Sequence, residues 1–307
     1  MRAVDRAVRF ARAFLKDPLA HWPFVDIARW MFGNTAGAKQ NLYGGLQLLY
    51  HRLLGHAGGK PATDPETKSG VADLRRNGFL KVKQPLLNDE VIGKIQRKFA
   101  AKIKKENALN GGKYMVSYNS DEILREIPEV FEIVKNNRVR EILRVYFGGG
   151  FHVHEIAYRR TLHVPKEITE QGEVYSDFWH CDSSPTSELA LFVNLIDVTR
   201  EQGPTMLIDK PTTRRFVRKF YRGRRDTGTV KALGEAIERD GHARTFIGAA
   251  GSMIFVQTTK CLHRASIPAD GQQRDWLSFR FFPKRGSIVD NCVIDNAITR
   301  YTHAAAH

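Results

Sequence analysis

The second half of the chain is a series of short apolar segments separated by turn-forming residues, and this pattern restricts the fold more than any other feature. The segments are rich in Val, Ile and Phe, and Gly, Pro and Asp divide them. Such spacing is typical of antiparallel strands in a β-sandwich or jelly roll, and it differs from the strand–helix alternation of a parallel sheet. The predicted strands are Phe151–Tyr158, Leu189–Ile196, Thr205–Ile208, Ser252–Val256 and Trp276–Phe282.

The first 60 residues are predicted to form a helical extension. Apolar residues recur there at helical spacing, first between Val4 and Leu15. This first amphipathic helix could lie on an anionic membrane surface, or it could pack its apolar stripe against the rest of the protein. The segment Gly58–Ser69 is rich in Gly, Pro and charged residues and indicates a linker. We therefore assign residues 1–60 to the extension and residues 61–307 to one domain.

A helical layer is predicted between the linker and the strands. A long helix follows the capping residue Asn88, and shorter helices cover Pro128–Lys135 and Val139–Phe147. A short strand, Phe79–Val82, precedes them. The fold class predicted for the domain is therefore α+β.

Positive charge is concentrated in one polar segment within the strand region. The chain has a formal net charge of +15, and the segment of residues 210–244 carries eight Lys or Arg between Lys210 and Arg225. Such charge favours an anionic partner, or it forms a solvated surface. We expect this basic insertion to cover the mouth of a binding site, with Arg214, Arg215 and Arg218 contacting an anionic group of the ligand. Nucleic acid is not favoured, because no nucleic-acid-binding module is recognisable.

The cysteines and the hydropathy pattern favour a cytoplasmic location, with peripheral membrane contact left open. The three cysteines, Cys181, Cys261 and Cys292, are widely spaced and form no paired pattern. No run of 18 or more apolar residues is present, and the N-terminus does not resemble a signal peptide.

The segment Trp179-His180-Cys181-Asp182 is the clearest candidate for chemistry. On an extended chain, residues two apart point to the same side, so His180 and Asp182 can reach one metal ion while Cys181 faces away. A second histidine, His263, follows a predicted strand. Two imidazoles and one carboxylate on one face of an octahedron suit Fe(II) and leave the opposite face open. A His-x-Asp pair is common by chance, so it indicates a metal site only in combination with residues such as His263.

Arg274 lies eleven residues after His263, and its guanidinium could bind a carboxylate through two parallel hydrogen bonds. The alternative metal ligands, His152, His154 and His163, lack the further ligands of a cupin-type site and are interpreted as strand residues near the pocket.

Together, His180-x-Asp182, the distal His263 and Arg274 resemble the phytanoyl-CoA dioxygenase superfamily. The segment Leu195–Ile208, with its Gly-Pro-Thr return, and the turn at Ala250-Gly251-Ser252 are similar to segments of that family. The resemblance extends from about Gly70 to Phe282 and implies a double-stranded β-helix, the jelly roll of these enzymes. The turn after the Gly-Pro return, Asp209–Thr212, departs from the family pattern.

The resemblance also implies an activity. It implies an Fe(II)- and 2-oxoglutarate-dependent dioxygenase that uses O2 to hydroxylate its substrate. His180, Asp182 and His263 would hold the iron, and Arg274 would bind the far carboxylate of 2-oxoglutarate. The retained Asp182 favours hydroxylation over halogenation.

Three further residues, Ser266, Asn194 and Tyr158, are weaker candidates for 2-oxoglutarate contacts. The expected substrate is an anionic small molecule or a lipid-like molecule. The alternatives are the same chemistry on a protein or nucleic acid, and a β-helix binding module without turnover.

Overall fold

The computed structural model describes residues 64–82, 89–107, 114–118, 120–182, 187–220 and 227–283. The predicted helical extension of residues 1–60 lies outside these ranges. Within them, no helix has the length and the hydropathy required to cross a membrane.

The secondary structure begins with helices and continues mainly with strands. The described helices are α1 (Pro65–Asn77), α2 (Asp89–Asn107), α3 (Ser120–Glu126), α4 (Phe131–Lys135), α5 (Asn137–Phe147), α6 (Lys166–Thr169), α7 (Lys210–Phe220) and α8 (Thr227–Asp240), with a 3-10 turn at Pro128–Val130. The described strands are β1 (Phe79–Lys81), β2 (Met115–Tyr118), β3 (Phe151–Leu162), β4 (Leu189–Asn194), β5 (Thr205–Leu207), β6 (Arg244–Phe246), β7 (Met253–Val256), β8 (His263–Ala265) and β9 (Gln273–Pro283).

The strands form two antiparallel sheets. The major sheet has the order β1-β7-β4-β9-β3-β2, and the minor sheet has the order β6-β5-β8. All five predicted strands are present, and β3 extends four residues beyond its predicted end at Tyr158. Antiparallel sheets combined with helices agree with the predicted α+β class and with a jelly roll.

The main core lies between one face of the major sheet and the helical layer. Helix α2 is amphipathic, with Ile92, Ile95, Phe99 and Ile103 buried on one side. The ring of Phe99 stacks on Tyr158 of β3 with 3.8 Å between ring centroids. Side chains alternate along a strand, and on β4 it is Leu191 that points to this helix-packed face.

The other face of the major sheet packs on the minor sheet. Phe192 of β4 joins Leu207 of β5 and Phe246 of β6 in a second apolar cluster. A pocket lies between these two sheets, beside this cluster.

The basic insertion packs against the outer face of the minor sheet. Phe216 of α7 and Leu233 of α8 are buried with Trp179 and Cys181, the residues on either side of His180. These two neighbours alternate in direction with His180, so the helices lie behind the candidate metal ligands. The expected position of the insertion over the pocket mouth is therefore wrong for the described residues, because its apolar side chains are drawn to this outer surface.

Candidate metal centre and its pocket

His180 and Asp182 lie in an extended segment that pairs with the minor sheet. The backbone N–H of His180 donates to the carbonyl of His263 at 3.0 Å, and the reverse hydrogen bond measures 2.9 Å. The N–H of Asp182 donates to the carbonyl of Thr258 at 3.0 Å. Alternation along this segment directs His180 and Asp182 to the pocket, whereas Cys181 is buried in the outer apolar cluster, as predicted.

The three side chains converge closely enough to share one ion. The Nε2 atoms of His180 and His263 each lie 3.6 Å from Oδ1 of Asp182. One ligand atom from each residue lies within 4.8 Å of the other two. Ligand atoms placed at right angles about 2 Å from a metal are separated by about 3 Å. The set therefore fits a metal ion after small adjustments.

The backbone orients both imidazole rings. Nδ1 of His180 lies 2.8 Å from the carbonyl oxygen of Phe178, and Nδ1 of His263 lies 3.1 Å from that of Cys261. A carbonyl oxygen only accepts hydrogen bonds, so each Nδ1 carries the proton. A neutral imidazole with its proton on Nδ1 presents the Nε2 lone pair to the metal position, as metal binding requires.

Arg280 of β9 contacts the carboxylate of Asp182, the candidate metal ligand, from behind. Its Nη1 forms an ion pair with Oδ2 of Asp182 at 2.7 Å, and it donates to Glu188 at 2.8 Å and to Thr258 at 2.7 Å. Burial alone would raise the pKa of Asp182, but His263 and Arg280 outweigh it and hold this pKa well below its usual range. The carboxylate is thus ionised and ready to bind a cation.

A pocket of about 180 Å³ adjoins the three ligands between the two sheets. Its other wall residues include both polar and aromatic side chains. Among these lining residues are Met115, Arg159, Thr161, Phe192, Thr205, Arg264, Arg274, Trp276 and Arg280.

Arg274 lies in this pocket with its charge unmatched. It is 1% exposed, and its Nη1 donates to the Thr205 hydroxyl at 3.1 Å. Its guanidinium lies 5.2 Å from the Trp276 ring centre. Among the described residues its Nε has no hydrogen-bond partner and no carboxylate forms an ion pair with it. Burial lowers the pKa of Arg274 to about 10, which reflects the cost of this unpaired charge.

The contrast with Arg280 identifies the guanidinium that is available to a ligand. Arg280 already contacts Asp182 and Glu188. Arg274 lacks such a partner, and a ligand carboxylate would supply one.

The other predicted 2-oxoglutarate contacts do not line the pocket. Tyr158 stacks on Phe99 of α2 and therefore lies on the helix-packed face of the major sheet. Its neighbour Arg159 points to the opposite face and lines the pocket. The backbone N–H of Ser266 donates to the carbonyl of Pro204, and Asn194 is buried at the end of β4. These three expectations are not supported by the positions of the side chains.

The predicted substrate-binding arginines also lie outside the pocket. Arg214, Arg215 and Arg218 are exposed on α7, and Arg215 pairs with Asp240 of α8 at 2.7 Å. Sequence reasoning missed Arg159, Thr161 and Thr205. Strand alternation relative to Tyr158 is the signal that could have identified Arg159.

The alternative histidines do not form a second metal site. Within the described ranges, the only group of three or more potential ligands close enough to hold an ion is His180, Asp182 and His263. His163 Nδ1 lies 2.9 Å from the Pro268 carbonyl oxygen, while His154 is exposed at the end of the major sheet.

The chain is similar to known proteins in structure, whereas its sequence matches no protein family. No family model matches the chain, and no curated protein matches it. The structure of EctD from S. alaskensis with 2-oxoglutarate and 5-hydroxyectoine has a TM-score of 0.51 at 15% identity, covering 75% of this chain and 80% of that chain. EctD from S. alaskensis with bound Fe has a TM-score of 0.50 at 15% identity, covering 76% and 84%. The non-haem α-ketoglutarate-dependent epimerase SnoN from nogalamycin biosynthesis scores 0.48 at 16% identity, covering 71% and 84%.

The EctD comparison shows that the chain shares the fold of a protein that has been crystallised with Fe and with 2-oxoglutarate. At this level of identity it extends no further than the fold. Membership of the phytanoyl-CoA dioxygenase superfamily stays a prediction.

Proposed function

We propose that this protein is an Fe(II)- and 2-oxoglutarate-dependent dioxygenase that hydroxylates an anionic small-molecule or lipid-like substrate. One observation carries the proposal: the His180–Asp182–His263 set and the unpaired, buried Arg274 line the same pocket. His180, Asp182 and His263 would hold the iron. Arg274 would bind the far carboxylate of 2-oxoglutarate.

Iron and 2-oxoglutarate, when bound, supply O2-dependent oxidation of a substrate C–H bond, coupled to conversion of 2-oxoglutarate to succinate and CO2. The chain positions and shields these groups. The Nδ1 hydrogen bonds of the two histidines set their ring orientation, and Arg280 holds the carboxylate of Asp182. Phe192 and Trp276 add aromatic surface that restricts water in the pocket.

The dimensions of the pocket support a small substrate over a macromolecular one. The pocket of about 180 Å³ would have to hold 2-oxoglutarate as well, which leaves room for a small molecule or for one end of a longer lipid-like molecule. A protein or nucleic acid would have to insert a single side chain or base. A binding module without turnover is disfavoured because all three ligands and a carboxylate-binding arginine converge.

The direct test is anaerobic addition of Fe(II) and 2-oxoglutarate, followed by exposure to O2. The expected results are the visible absorption that 2-oxoglutarate gives when it chelates Fe(II), and then succinate release. His180→Ala and His263→Ala should abolish both. Failure of the wild-type protein to give either signal, or wild-type turnover in the two variants, would refute the assignment.

Arg274→Ala tests the carboxylate assignment separately. Loss of a buried charged partner costs about 2–5 kcal/mol, so the KM for 2-oxoglutarate should rise about 30-fold or more. Arg215→Ala, which removes an exposed guanidinium outside the pocket, is the matched control. An unchanged KM in Arg274→Ala would move the role to another residue.

A further inference from the structure

A second guanidinium in the pocket lacks a contacting anionic partner. Arg159 of β3 lines the pocket, and no described carboxylate lies within ion-pair distance of it. The other three arginines of the pocket each have a partner or a proposed role. Arg280 contacts Asp182 and Glu188. Arg264 lies 4.0 Å from Glu238, and Arg274 is the proposed 2-oxoglutarate contact.

Arg159 is held in place by the major sheet. Arg159 is the cross-strand partner of Trp276, and Thr161 is the partner of Arg274. Both guanidinium groups therefore lie near the same indole, at 5.3 Å for Arg159 and 5.2 Å for Arg274. Cation–π contact offsets only part of the cost of burying a charge. Two positive groups close to one aromatic ring repel each other, and this repulsion favours the binding of anionic groups.

The two arginines differ in burial. Arg274 is 1% exposed, whereas Arg159 is partly exposed and thus nearer the entrance. Burial and then the charge of Arg280 lower the pKa of Arg159, and the carboxylates of Glu155 and Asp182 oppose this only in part. Arg159 therefore faces the part of the pocket between the entrance and the metal ligands, where a substrate must lie to be oxidised.

The near carboxylate of 2-oxoglutarate is a weaker partner for Arg159. In the proposed function that carboxylate chelates iron, so the metal already neutralises it. Arg264 also lines the pocket, but its guanidinium lies 5.5 Å from the ring centre of Trp179 and 4.0 Å from Glu238, on the side of the insertion. Arg159 is therefore the cation beside the metal ligands that a carboxylate or phosphate on the substrate can pair with. A guanidinium binds either group through two parallel hydrogen bonds.

We propose that Arg159 binds an anionic group, carboxylate or phosphate, of the substrate, with Met115, Phe192 and Trp276 contacting the apolar part of that molecule. This inference rests on the proposed function and deepens it. It places anion recognition on the major sheet within the pocket, and it assigns no substrate-binding role to α7.

The test compares probes of one chain length and different charge. Hexanoate, hexyl phosphate and hexanamide are titrated by calorimetry, in phosphate-free buffer without O2, into protein incubated with Fe(II) and 2-oxoglutarate. At least one anionic probe should bind tenfold or more tightly than hexanamide. The anion that binds more tightly identifies the substrate group as a carboxylate or a phosphate. Equal binding of all three probes, or no binding of either anion at millimolar concentration, overturns the proposal.

Two variants assign the effect to a residue. Arg159→Gln should lose the preference for anions, and its loss of anion affinity should exceed any loss of 2-oxoglutarate affinity. Arg215→Gln removes the same charge from the exposed insertion and should keep the preference. Persistence of the preference in Arg159→Gln, or an equal loss of 2-oxoglutarate affinity, refutes the assignment.

The outcomes separate this inference from the proposed function. The visible absorption of the Fe(II)–2-oxoglutarate complex reports whether the proposed function holds, and it also shows that Arg159→Gln is folded. Calorimetry reports anion binding whether or not that absorption appears.

Discussion

Arg280 connects the candidate metal ligand Asp182 to the surrounding protein. It forms ion pairs with Asp182 and Glu188, and Glu188 is only 3% exposed. Residues that hold a metal ligand from behind typically contribute 10- to 100-fold in metal affinity. Arg280→Gln should therefore weaken Fe(II) binding about 10- to 100-fold, measured by anaerobic metal titration.

A double variant separates the effect of Arg280 on the position of Asp182 from its effect on the stability of the fold. Arg280→Gln alone removes the guanidinium that contacts the buried Glu188 at 2.8 Å, which is destabilising. Adding Glu188→Gln removes that charge while Asp182 remains unsupported. Metal affinity should stay low in the double variant as its thermal stability recovers. Wild-type metal affinity in either variant would contradict the positioning role.

Lys260 is a partly buried cation near the basic insertion. Burial, and then the charges of Lys210 and Arg214, lower its pKa from 10.5 to about 8. Between these values the unfolded chain binds more protons than the folded protein, so stability should rise with pH across this interval. Below about pH 8, Lys260 is charged in both states, and its unfavourable burial is fully present.

Lys260→Met should remove this pH dependence. At neutral pH we expect the free energy of unfolding to increase by about 1 kcal/mol, allowing for partial solvent screening. Urea unfolding at neutral pH and near pH 10 measures both effects. Lys219→Met, an exposed change on α7, is the control. An unaltered pH slope in Lys260→Met would show that the lysine is well solvated.

At the scale of elements, the turn into β5 is joined closely to the chain that follows β8. Gly203 has a φ of 69°, and a Cβ at this position would lie 2.5 Å from the Ser266 carbonyl oxygen and 2.6 Å from the Pro268 nitrogen. The N–H of Ser266 donates to the carbonyl of Pro204. This close approach holds Thr205, the partner of Arg274, beside the strand that carries His263.

Gly203→Ala should strain the backbone and separate these two segments. The left-handed conformation and the steric clash together should cost about 2 kcal/mol or more. Gly241→Ala is the matched control, since Gly241 has a φ of 67° and a Cβ added there would have nothing within 4 Å, so this change should cost only about 1 kcal/mol. Chemical denaturation measures both. Equal losses would show that the backbone at Ser266 yields easily.

At the scale of the whole molecule, metal binding should be coupled to folding. His180 and Asp182 lie in an irregular segment, His263 lies in β8, and the three meet only in the folded state. A metal at 100 times its Kd stabilises by about 2.7 kcal/mol. Fe(II) should therefore raise the Tm by roughly 5–10 °C.

The matched variant for this measurement is Asp182→Asn, which keeps the shape of the side chain but removes its charge. Its Tm should respond little to Fe(II), because one charged ligand is missing. A thermal shift in this variant as large as in the wild type would indicate metal binding elsewhere.

The sequence alone predicted the type of fold and the three candidate metal ligands. Short β-rich segments divided by turn residues predict antiparallel sheets, because alternation and turn preferences are local properties. The His180-x-Asp182 spacing similarly predicts two side chains on one side of an extended segment. These features were predictable because they depend on neighbours in the chain.

Only the tertiary structure decided which strand face borders the pocket and where the insertion packs. Alternation showed that Tyr158 and Arg159 point in opposite directions, but the packing of α2 on Tyr158 assigned Arg159 to the pocket. Charge suggested a role for α7 at the pocket mouth, yet burial of Phe216 beside Trp179 places it on the outer face. The physical reason is the same in both cases: burial of apolar surface is non-directional and depends on segments distant in sequence.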